Sequence, residues 1–321
     1  MSKTDLSAII LAAGKSKRMK SGKSKVVHEI LGKPIIEYVV DALAEVPVQN
    51  IAVVVGEHNI DDIKEVLGTR VEYIIQKEAL GTGHAVIVAE QWLQKQKGDV
   101  FVVVGDAPFI TPQIMQELHE LKYRNKYSCT FLTAVYDEPP PYGRIVRDQH
   151  GRVLSIVEEK DATADQKKIK EVSSSHYCFQ IDKLLPALKN LHTKNAQNEY
   201  YLTDVIESFA KQGLGVETLP IDNPVLTFGV NNRQDMALGI AYLKDKIITD
   251  WMQNGVTIID RKTTYIESKV SIGADTTIYP FTYLAGKTQI GSRSEIGPFV
   301  HMENAIVNDN STIKNSIATN K

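Results

Sequence analysis

Short apolar runs alternate with amphipathic stretches through the first part of the chain. The apolar runs, which predict buried strands, are Ala8–Leu11, Ile51–Val55, Val71–Ile75, Val100–Val104 and Cys129–Val135. Apolar residues at helical spacing lie between them, in Pro34–Glu45, Ile60–Leu67, Gly83–Gln94 and Pro112–Tyr123. Valine- and isoleucine-rich strands separated by such helices indicate a mainly parallel sheet covered on both faces. We therefore predict a Rossmann-like α/β domain over residues 1–228, with ligands beyond the carboxyl ends of its strands.

The apolar spacing changes in the last third of the chain. Residues 229–254 contain an amphipathic pattern that predicts a connecting helix. Beyond Gly255 the period becomes six, and the apolar positions that repeat at this spacing are Ile266, Ile272, Ile278, Leu284, Ile290, Ile296 and Met302. An unbroken hexapeptide period predicts a parallel β-helix, in which three hexapeptides complete one coil. Residues 255–321 have room for about three coils.

Composition and charge narrow the class of protein. The hydrophobic content of 43% and the charged content of 24% are those of a soluble globular protein. A net charge of −2 excludes a broad basic surface for nucleic acid. No apolar run approaches the ~20 residues of a membrane span, and nothing resembles a signal peptide. We expect a cytoplasmic protein in which Cys129 and Cys178 are buried, reduced thiols.

The stretch after the first predicted strand carries the clearest chemical signal. Small residues end that strand at 12–14, and six cations follow without an acid: Lys15, Lys17, Arg18, Lys20, Lys23 and Lys25. Small residues let backbone N–H groups approach a ligand closely, and the cations indicate that this ligand is a phosphate. A P-loop would need glycine at Ile9 or Lys17, and the dinucleotide fingerprint needs three glycines, so both are excluded. A solvated basic loop is the simpler alternative.

A second chemical signal follows the strand at Val100–Val104. It is Asp106, which lies between a glycine and the sequence Ala-Pro, a rigid place for a charge. A carboxylate there suits Mg²⁺, which takes one or two protein oxygens and completes its shell with phosphates and water. The alternative is that the aspartate only forms a turn.

The stretch 11–25 resembles the signature of the nucleotidyltransferases that activate sugar phosphates, Leu-x-Ala-Gly-x-Gly-x-Arg-Met…Pro-Lys. Ser16 and Ser24 replace the second glycine and the proline, whereas the signature residues that remain include Gly14, Arg18 and Lys25. Further stretches resemble the bacterial N-acetylglucosamine-1-phosphate uridylyltransferases, namely 76–85, 105–109, 142–144, 157–162, 195–204 and 228–233. The resemblance implies a nucleotide-diphospho-sugar transferase fold followed by a short left-handed β-helix. It also implies UTP and a sugar 1-phosphate as substrates, Mg²⁺ as cofactor, and a homotrimer assembled through the β-helix.

The same resemblance assigns roles to individual residues. Asp106 and Asn231 would bind the metal, Arg18 would steady the leaving pyrophosphate, and Lys25 would contact the sugar phosphate or the α-phosphate. The residues implied to bind substrate are Leu11, Ala12, Ala13, Gly14, Lys25, Gln76, Gly81, Thr82, Gly105, Gly143, Glu158 and Ser173. Among these, the 76–82 loop would read uracil, and the last three would contact the sugar.

The chain departs from the family pattern at the implied sugar site. Ser173-Ser174-Ser175 stands where the family has Asn-Thr-Gly, and Val104 replaces a tyrosine. A serine is shorter than an asparagine and offers a different set of hydrogen bonds. Two alternatives therefore stay open: a nucleotidyltransferase for a different sugar 1-phosphate or nucleotide, and a non-catalytic paralogue that binds nucleotide sugars. We expect no acetyltransferase activity, because the family places that site in further coils of the β-helix.

Overall fold

A computed structural model describes residues 5–319, so residues 1–4 and 320–321 of the two predicted domains lie outside the described part. Within it the chain forms two compact units. One unit contains residues 5–27 and 35–230, and the other contains residues 28–34 and 231–319. The second unit thus includes a short segment from early in the chain.

The secondary structure alternates between strands and helices as far as residue 253. The helices are α1 Ile35–Ala44, α2 Ile60–Leu67, α3 Thr82–Ile87, α4 Glu90–Leu93, α5 Pro112–Asn125, α6 Ile181–Leu188, α7 Asp204–Lys211 and α8 Arg233–Gln253. The strands up to that point are β1 Leu6–Leu11, β2 Glu29–Ile30, β3 Lys33–Pro34, β4 Asn50–Gly56, β5 Glu72–Gln76, β6 Asp99–Val104, β7 Cys129–Val135, β8 Arg144–Arg147, β9 Val153–Val157, β10 Glu171–Gln180 and β11 Val216–Ile221. The later strands are β12 Thr257–Ile258, β13 Tyr265–Ile266, β14 Ser271–Ile272, β15 Thr277–Ile278, β16 Thr282–Ala285, β17 Gln289–Ile290, β18 Glu295–Ile296, β19 Val300–Glu303, β20 Ile306–Val307, β21 Thr312–Ile313 and β22 Ile317–Thr319.

The first unit is built on a nine-stranded sheet with the order β11-β7-β10-β6-β1-β4-β5, to which β8 and β9 are attached. Strands β1, β4, β5 and β6 run parallel, so their carboxyl ends share one edge. Apolar side chains are buried on both faces, as Ile9 on one and Ile10 on the other illustrate. The predicted Rossmann-like, mainly parallel sheet is confirmed, and this edge is where its ligands are expected.

Two details of the first unit differ from the predicted elements. Strand β10 lies between β6 and β7 and runs antiparallel to both. The single helix predicted over Gly83–Gln94 is divided into α3 and α4. The division lies at Ala89, whose N–H bonds to the carbonyl of Val86 three residues earlier, a tighter turn than that of an α-helix.

The two cysteines lie on neighbouring strands in the middle of the sheet. Cys129 packs in the core on one face, and Cys178 packs in the core on the other. Both are fully buried free thiols, as predicted. Burial raises the pKa of each thiol well above its ordinary value. Neither is therefore a candidate nucleophile.

The second unit is a left-handed parallel β-helix preceded by α8. Its short strands form three parallel ladders, β12-β15-β18-β21, β13-β16-β19-β22 and β14-β17-β20. Every residue of the predicted hexapeptide series lies in its core. Burying each of these aliphatic side chains stabilises the coil by about 1.5–3 kcal/mol. The hexapeptide prediction is confirmed.

A hairpin of β2 and β3 completes the second unit. Its apolar residues Ile30 and Leu31 are buried. The carbonyl of Leu31 accepts a hydrogen bond of 3.1 Å from the N–H of Ser268 in the β-helix. A two-stranded hairpin is only marginally stable by itself, so this packing explains why residues 28–34 group with the second unit.

In the described part of the chain, no helix is both long and apolar enough to cross a membrane.

Candidate active site

A cavity of about 550 Å³ lies at the carboxyl ends of β1, β5 and β6. The predicted site residues that line it are Leu11, Ala12, Ala13, Gly14, Lys25, Gln76, Gly81, Thr82 and Asp106. Lys15, Lys17, Val104 and Glu199 also line it. The sheet therefore brings the basic loop, the predicted uracil-reading loop and the predicted metal ligand into one cavity.

An ion pair lies in this cavity. The Lys25 ammonium contacts the Asp106 carboxylate, although the two residues are far apart in the chain. Both side chains are largely shielded from solvent, with 18% and 15% of their surface exposed. The N–H of Gly105 donates to the carbonyl of Leu11 at 2.9 Å, which fixes the end of β6 against the end of β1. Gly105 thus holds two strand ends together and is not one of the residues that line the cavity.

The basic loop is held by a buried asparagine that the sequence analysis did not single out. Asn59, at the start of α2, donates from its side chain to the Ala12 carbonyl at 2.8 Å and to Ser24 Oγ at 3.2 Å. Its own side-chain oxygen accepts from the N–H of Gly56 at 2.9 Å. One side chain therefore fastens both ends of the loop to β4. Asn59 lies far from the loop in the sequence, and no motif marks it.

Arg18 has a different setting from Lys25. It is exposed and belongs to a short 3₁₀ helix, Lys17–Met19, in which Met19 is the buried residue. It is not among the residues that line the cavity. The predicted contact between Arg18 and pyrophosphate stays a prediction.

The predicted uracil-reading loop is fixed by bonds to a later segment. Gly81 has a backbone φ of +102°, which residues with a side chain rarely adopt. The N–H of Gly83 donates to the carbonyl of Tyr200 at 2.8 Å, and the N–H of Tyr200 donates to the carbonyl of Leu80 at 2.8 Å. The buried Gln76 amide contacts the Gly81 carbonyl at 3.3 Å and His84 Nδ1 at 2.9 Å. The shape of the loop is thus fixed by hydrogen bonds within the protein.

The predicted sugar-binding residues are Gly143, Glu158 and Ser173. They lie together beside the segment that contains Tyr200 and Thr203. The N–H of Ser173 donates to the Gly143 carbonyl at 2.8 Å. The hydroxyl of Thr203 donates to Glu158 Oε1 at 3.0 Å. Ser173 itself is buried, its Oγ lies 3.2 Å from the hydroxyl of Tyr177, and it accepts from the N–H of Ser175 at 3.3 Å. Its hydroxyl is therefore engaged within the protein.

Glu158 has an unusual electrostatic setting. Burial raises the pKa of its carboxyl, and the carboxylates of Asp204, Asp161 and Glu199 raise it further. The hydrogen bond from Thr203 partly opposes this increase. Glu199 also lines the cavity that contains Lys25 and Asp106. Residues 199–203 belong to a stretch that resembles the family, but their contacts with Glu158 and with the cavity were not predicted.

The predicted second metal ligand follows the chain segment beside Asp106. The N–H of Val230 donates to the carbonyl of Asp106 at 2.8 Å. Asn231 is the next residue and belongs to the second unit. The N–H of Asn231 donates to the Asp235 carboxylate at 2.9 Å. Its role toward a metal stays a prediction.

A larger cleft, of about 990 Å³, lies at the opposite edge of the sheet. It is bordered by a buried charged cluster in which Asp99 accepts from Lys122 at 2.5 Å and lies 3.1 Å from His119 Nε2. Burial would raise the pKa of Asp99, but these two partners lower it below its ordinary value. None of the predicted site residues lies there. The smaller cavity is therefore the candidate active site.

Comparison with known proteins agrees with this geometry. Residues 8–199 match the model of the MobA-like NTP transferase domain, which covers most of the first unit. The bifunctional protein GlmU of Acetivibrio thermocellus is 42% identical over 312 residues, which are 97% of this chain and 68% of that relative.

The chain belongs to the GlmU family.

Other family members show similar identity. The GlmU protein of a Geobacillus strain is 43% identical over 97% of this chain and 68% of its own length. That of Clostridium botulinum is 44% identical over 85% of this chain and 60% of its own length. The chain thus spans about two thirds of the length of these GlmU proteins. With the transferase domain, this membership makes the chain a sugar-phosphate uridylyltransferase.

A solved structure supports the fold alone. A Bacillus anthracis protein provisionally described as a glucose-1-phosphate thymidylyltransferase superposes with a TM-score of 0.59 at 20% identity. The match covers 73% of this chain and 94% of that chain. The nucleotide-diphospho-sugar transferase fold predicted for the first unit is confirmed.

Proposed function

We propose that this GlmU-family chain transfers a uridylyl group from UTP to N-acetylglucosamine 1-phosphate. The products are UDP-N-acetylglucosamine and pyrophosphate. The observation that supports it best is the Lys25–Asp106 pair in a cavity bordered by the 76–82 loop. A cation and a metal-binding carboxylate at that position suit the phosphates of a nucleotide.

The reaction needs no general base. An anionic phosphate oxygen of the sugar phosphate forms a bond to the α-phosphorus of UTP. The bond from the α-phosphorus to the oxygen shared with the β-phosphorus breaks, and pyrophosphate leaves with that oxygen and its electron pair. Catalysis then depends on position and on stabilisation of negative charge. Lys25 and the backbone at residues 11–14, which line the cavity, would supply the charge stabilisation.

Mg²⁺ is the proposed cofactor, and the residues present fit it. Among the described residues, no group of three or more His, Cys, Asp or Glu side chains could hold a metal by itself. Mg²⁺ does not need such a group, because it commonly uses one or two carboxylates together with substrate phosphates. Asp106 supplies a hard oxygen within the cavity, and the family resemblance adds Asn231. The bound ion would neutralise charge on the phosphates.

Substrate choice is tested by pyrophosphate release from each of the four NTPs against a panel of sugar 1-phosphates, with Mg²⁺ present. We expect the highest kcat/KM with UTP and N-acetylglucosamine 1-phosphate. A higher value with another sugar would favour the alternative that the Ser173–Ser175 segment suggests. Activity with another nucleotide in preference to UTP would contradict the uracil-reading role of the 76–82 loop.

Ser173→Asn tests whether residue 173 contributes to the choice of sugar. The amide adds a donor and an acceptor where the present hydroxyl is engaged with Tyr177 and Ser175. We expect kcat/KM to shift toward N-acetylglucosamine 1-phosphate by up to about tenfold relative to glucose 1-phosphate, with little change in the KM for UTP. Tyr177→Phe is the control, because it breaks the same internal bond without adding an amide. Equal changes for all sugars would contradict the assignment.

The assembly predicted from the family resemblance is a trimer formed through the β-helix. Exposed apolar side chains on that unit support an interface there. Phe281 and Phe299 are 55% and 60% exposed and stack with their ring centres 5.1 Å apart, and Ile317 is 82% exposed. Light scattering is expected to give three times the 35.7 kDa of one chain. The mass of a single chain at micromolar concentration would contradict this proposal.

A further inference from the structure

Ser16 has an unusual backbone conformation in the basic loop, residues 14–25, which is called the anion-binding loop below. Its φ of 51° lies in the left-handed region, which costs a residue with a side chain on the order of 1 kcal/mol. The family signature has glycine at this position, and glycine would avoid that cost.

The hydroxyl of Ser16 joins the two ends of the loop. It donates to the carbonyl of Gly14 at 3.3 Å and accepts from the backbone N–H of Lys25 at 2.9 Å. The single donor of the hydroxyl is thus used, and one of its two acceptor lone pairs is used as well. Both partners line the candidate active site. The loop is thereby closed by a side chain that glycine lacks.

The charges of the loop explain why a closing contact matters. The segment between these partners carries Lys15, Lys17, Arg18, Lys20 and Lys23. Like charges repel one another, and this repulsion favours an open loop until an anion binds. Asn59 fastens the two ends of the loop to β4 from outside, through the Ala12 carbonyl and Ser24 Oγ. Ser16 adds a contact from within the loop, which joins Gly14 directly to Lys25.

We propose that Ser16 is a positioning residue that closes the anion-binding loop and holds the backbone at Gly14 and Lys25 ready for a triphosphate. The identity of that triphosphate as UTP rests on the proposed function. The two hydrogen bonds of the hydroxyl restrict the backbone of the loop, which a glycine at this position would leave more flexible. The binding of a polyphosphate then requires less ordering of the loop.

Limited proteolysis tests the closure without any need for activity. Trypsin cleaves after lysine and arginine, so opening of the loop exposes several sites. We expect Ser16→Ala and Ser16→Gly to raise the rate of cleavage within residues 14–25 by about five- to tenfold, which is one to two hydrogen bonds' worth of local opening. Pyrophosphate at saturating concentration is expected to slow the cleavage of each variant.

Ser21→Ala is the matched control. Its hydroxyl lies in the same loop but accepts from the N–H of Lys23, two residues away, at 3.1 Å, so this bond does not join the two ends of the loop. We expect it to leave both the cleavage rate and the kinetics unchanged. An equal rise in cleavage for Ser21→Ala, or no rise for Ser16→Ala, would overturn the proposal.

Kinetics separate this inference from the proposed function. If the wild-type chain uses UTP, both Ser16 variants should raise the KM for UTP by about fivefold and leave that for the sugar phosphate unchanged. A uniform loss of kcat would contradict a positioning role toward the triphosphate. If the wild-type chain releases no pyrophosphate from UTP, the proposed function fails, while the proteolysis still decides whether Ser16 closes the loop.

Discussion

Asp106→Asn is expected to lower turnover by about 10²-fold or more, with the fold intact. The amide keeps the size of the side chain but removes the charge that pairs with Lys25 and that would attract a divalent cation. Loss of a charge stabiliser directed at reacting phosphates typically has an effect of this size. Pyrophosphate release measured over a range of Mg²⁺ concentrations should show both a lower maximum and a weaker dependence on Mg²⁺.

Asp148→Asn is the matched control for this substitution. Its carboxylate is also 15% exposed and also ion-paired, with Arg152, but it lies in the turn between β8 and β9. Equal melting temperatures for the two variants, together with full activity of Asp148→Asn, would locate the effect at the cavity. Unchanged Mg²⁺-dependent activity of Asp106→Asn would remove this residue from the mechanism.

Gly81→Ala is expected to raise the KM for UTP by about 10- to 100-fold. At φ of +102° a side chain strains the backbone, and the added Cβ would lie 2.6 Å from the carbonyl oxygen of Tyr200. The same carbonyl accepts the hydrogen bond from Gly83, so the shift that relieves the collision would also disturb this bond. Strain of about 1–3 kcal/mol corresponds to the stated range. Steady-state kinetics at saturating sugar phosphate measure the change.

Gly151→Ala is the control for a substitution at a positive-φ glycine away from the cavity. Gly151 has φ of +80°, and a Cβ there would meet no atom within 4 Å. It is expected to lower stability somewhat and to leave the KM for UTP unchanged. If Gly81→Ala also left that KM unchanged, the 76–82 loop would not read the nucleotide as we propose.

The elements that the sequence predicted well are those with a local, repeated pattern. Buried strand β1 and the hexapeptide series that includes Ile278 and Leu284 follow from residue spacing alone, and both are present. Cys178 lies in a strand-like run, but the extent and the antiparallel direction of β10 were not predicted, because its central residues are serines and a histidine, which interrupt the apolar pattern. The histidine is fully buried, and burial lowers the pKa of His176 to about 4.

The candidate site was predicted from the rule that ligands bind at the carboxyl ends of parallel strands, and only residues at those ends could be found in this way. That rule placed Gly14, Gln76 and Asp106 at one edge, where the structure has them. It could not find Asn59 or Thr203, because their roles depend on hydrogen bonds between distant segments. It also could not show that Ser173 would be engaged with Tyr177, since a buried hydroxyl chooses its partner from the packing around it.

The hairpin of residues 28–34 has a consequence for how the chain folds as it is synthesised. Domains usually form in order as they leave the ribosome. Here Ile30 and Leu31 emerge early, but the rest of the unit in which they are buried is synthesised about 200 residues later. The first unit must therefore fold while these two apolar side chains are still exposed, which makes this segment a site of possible aggregation during translation.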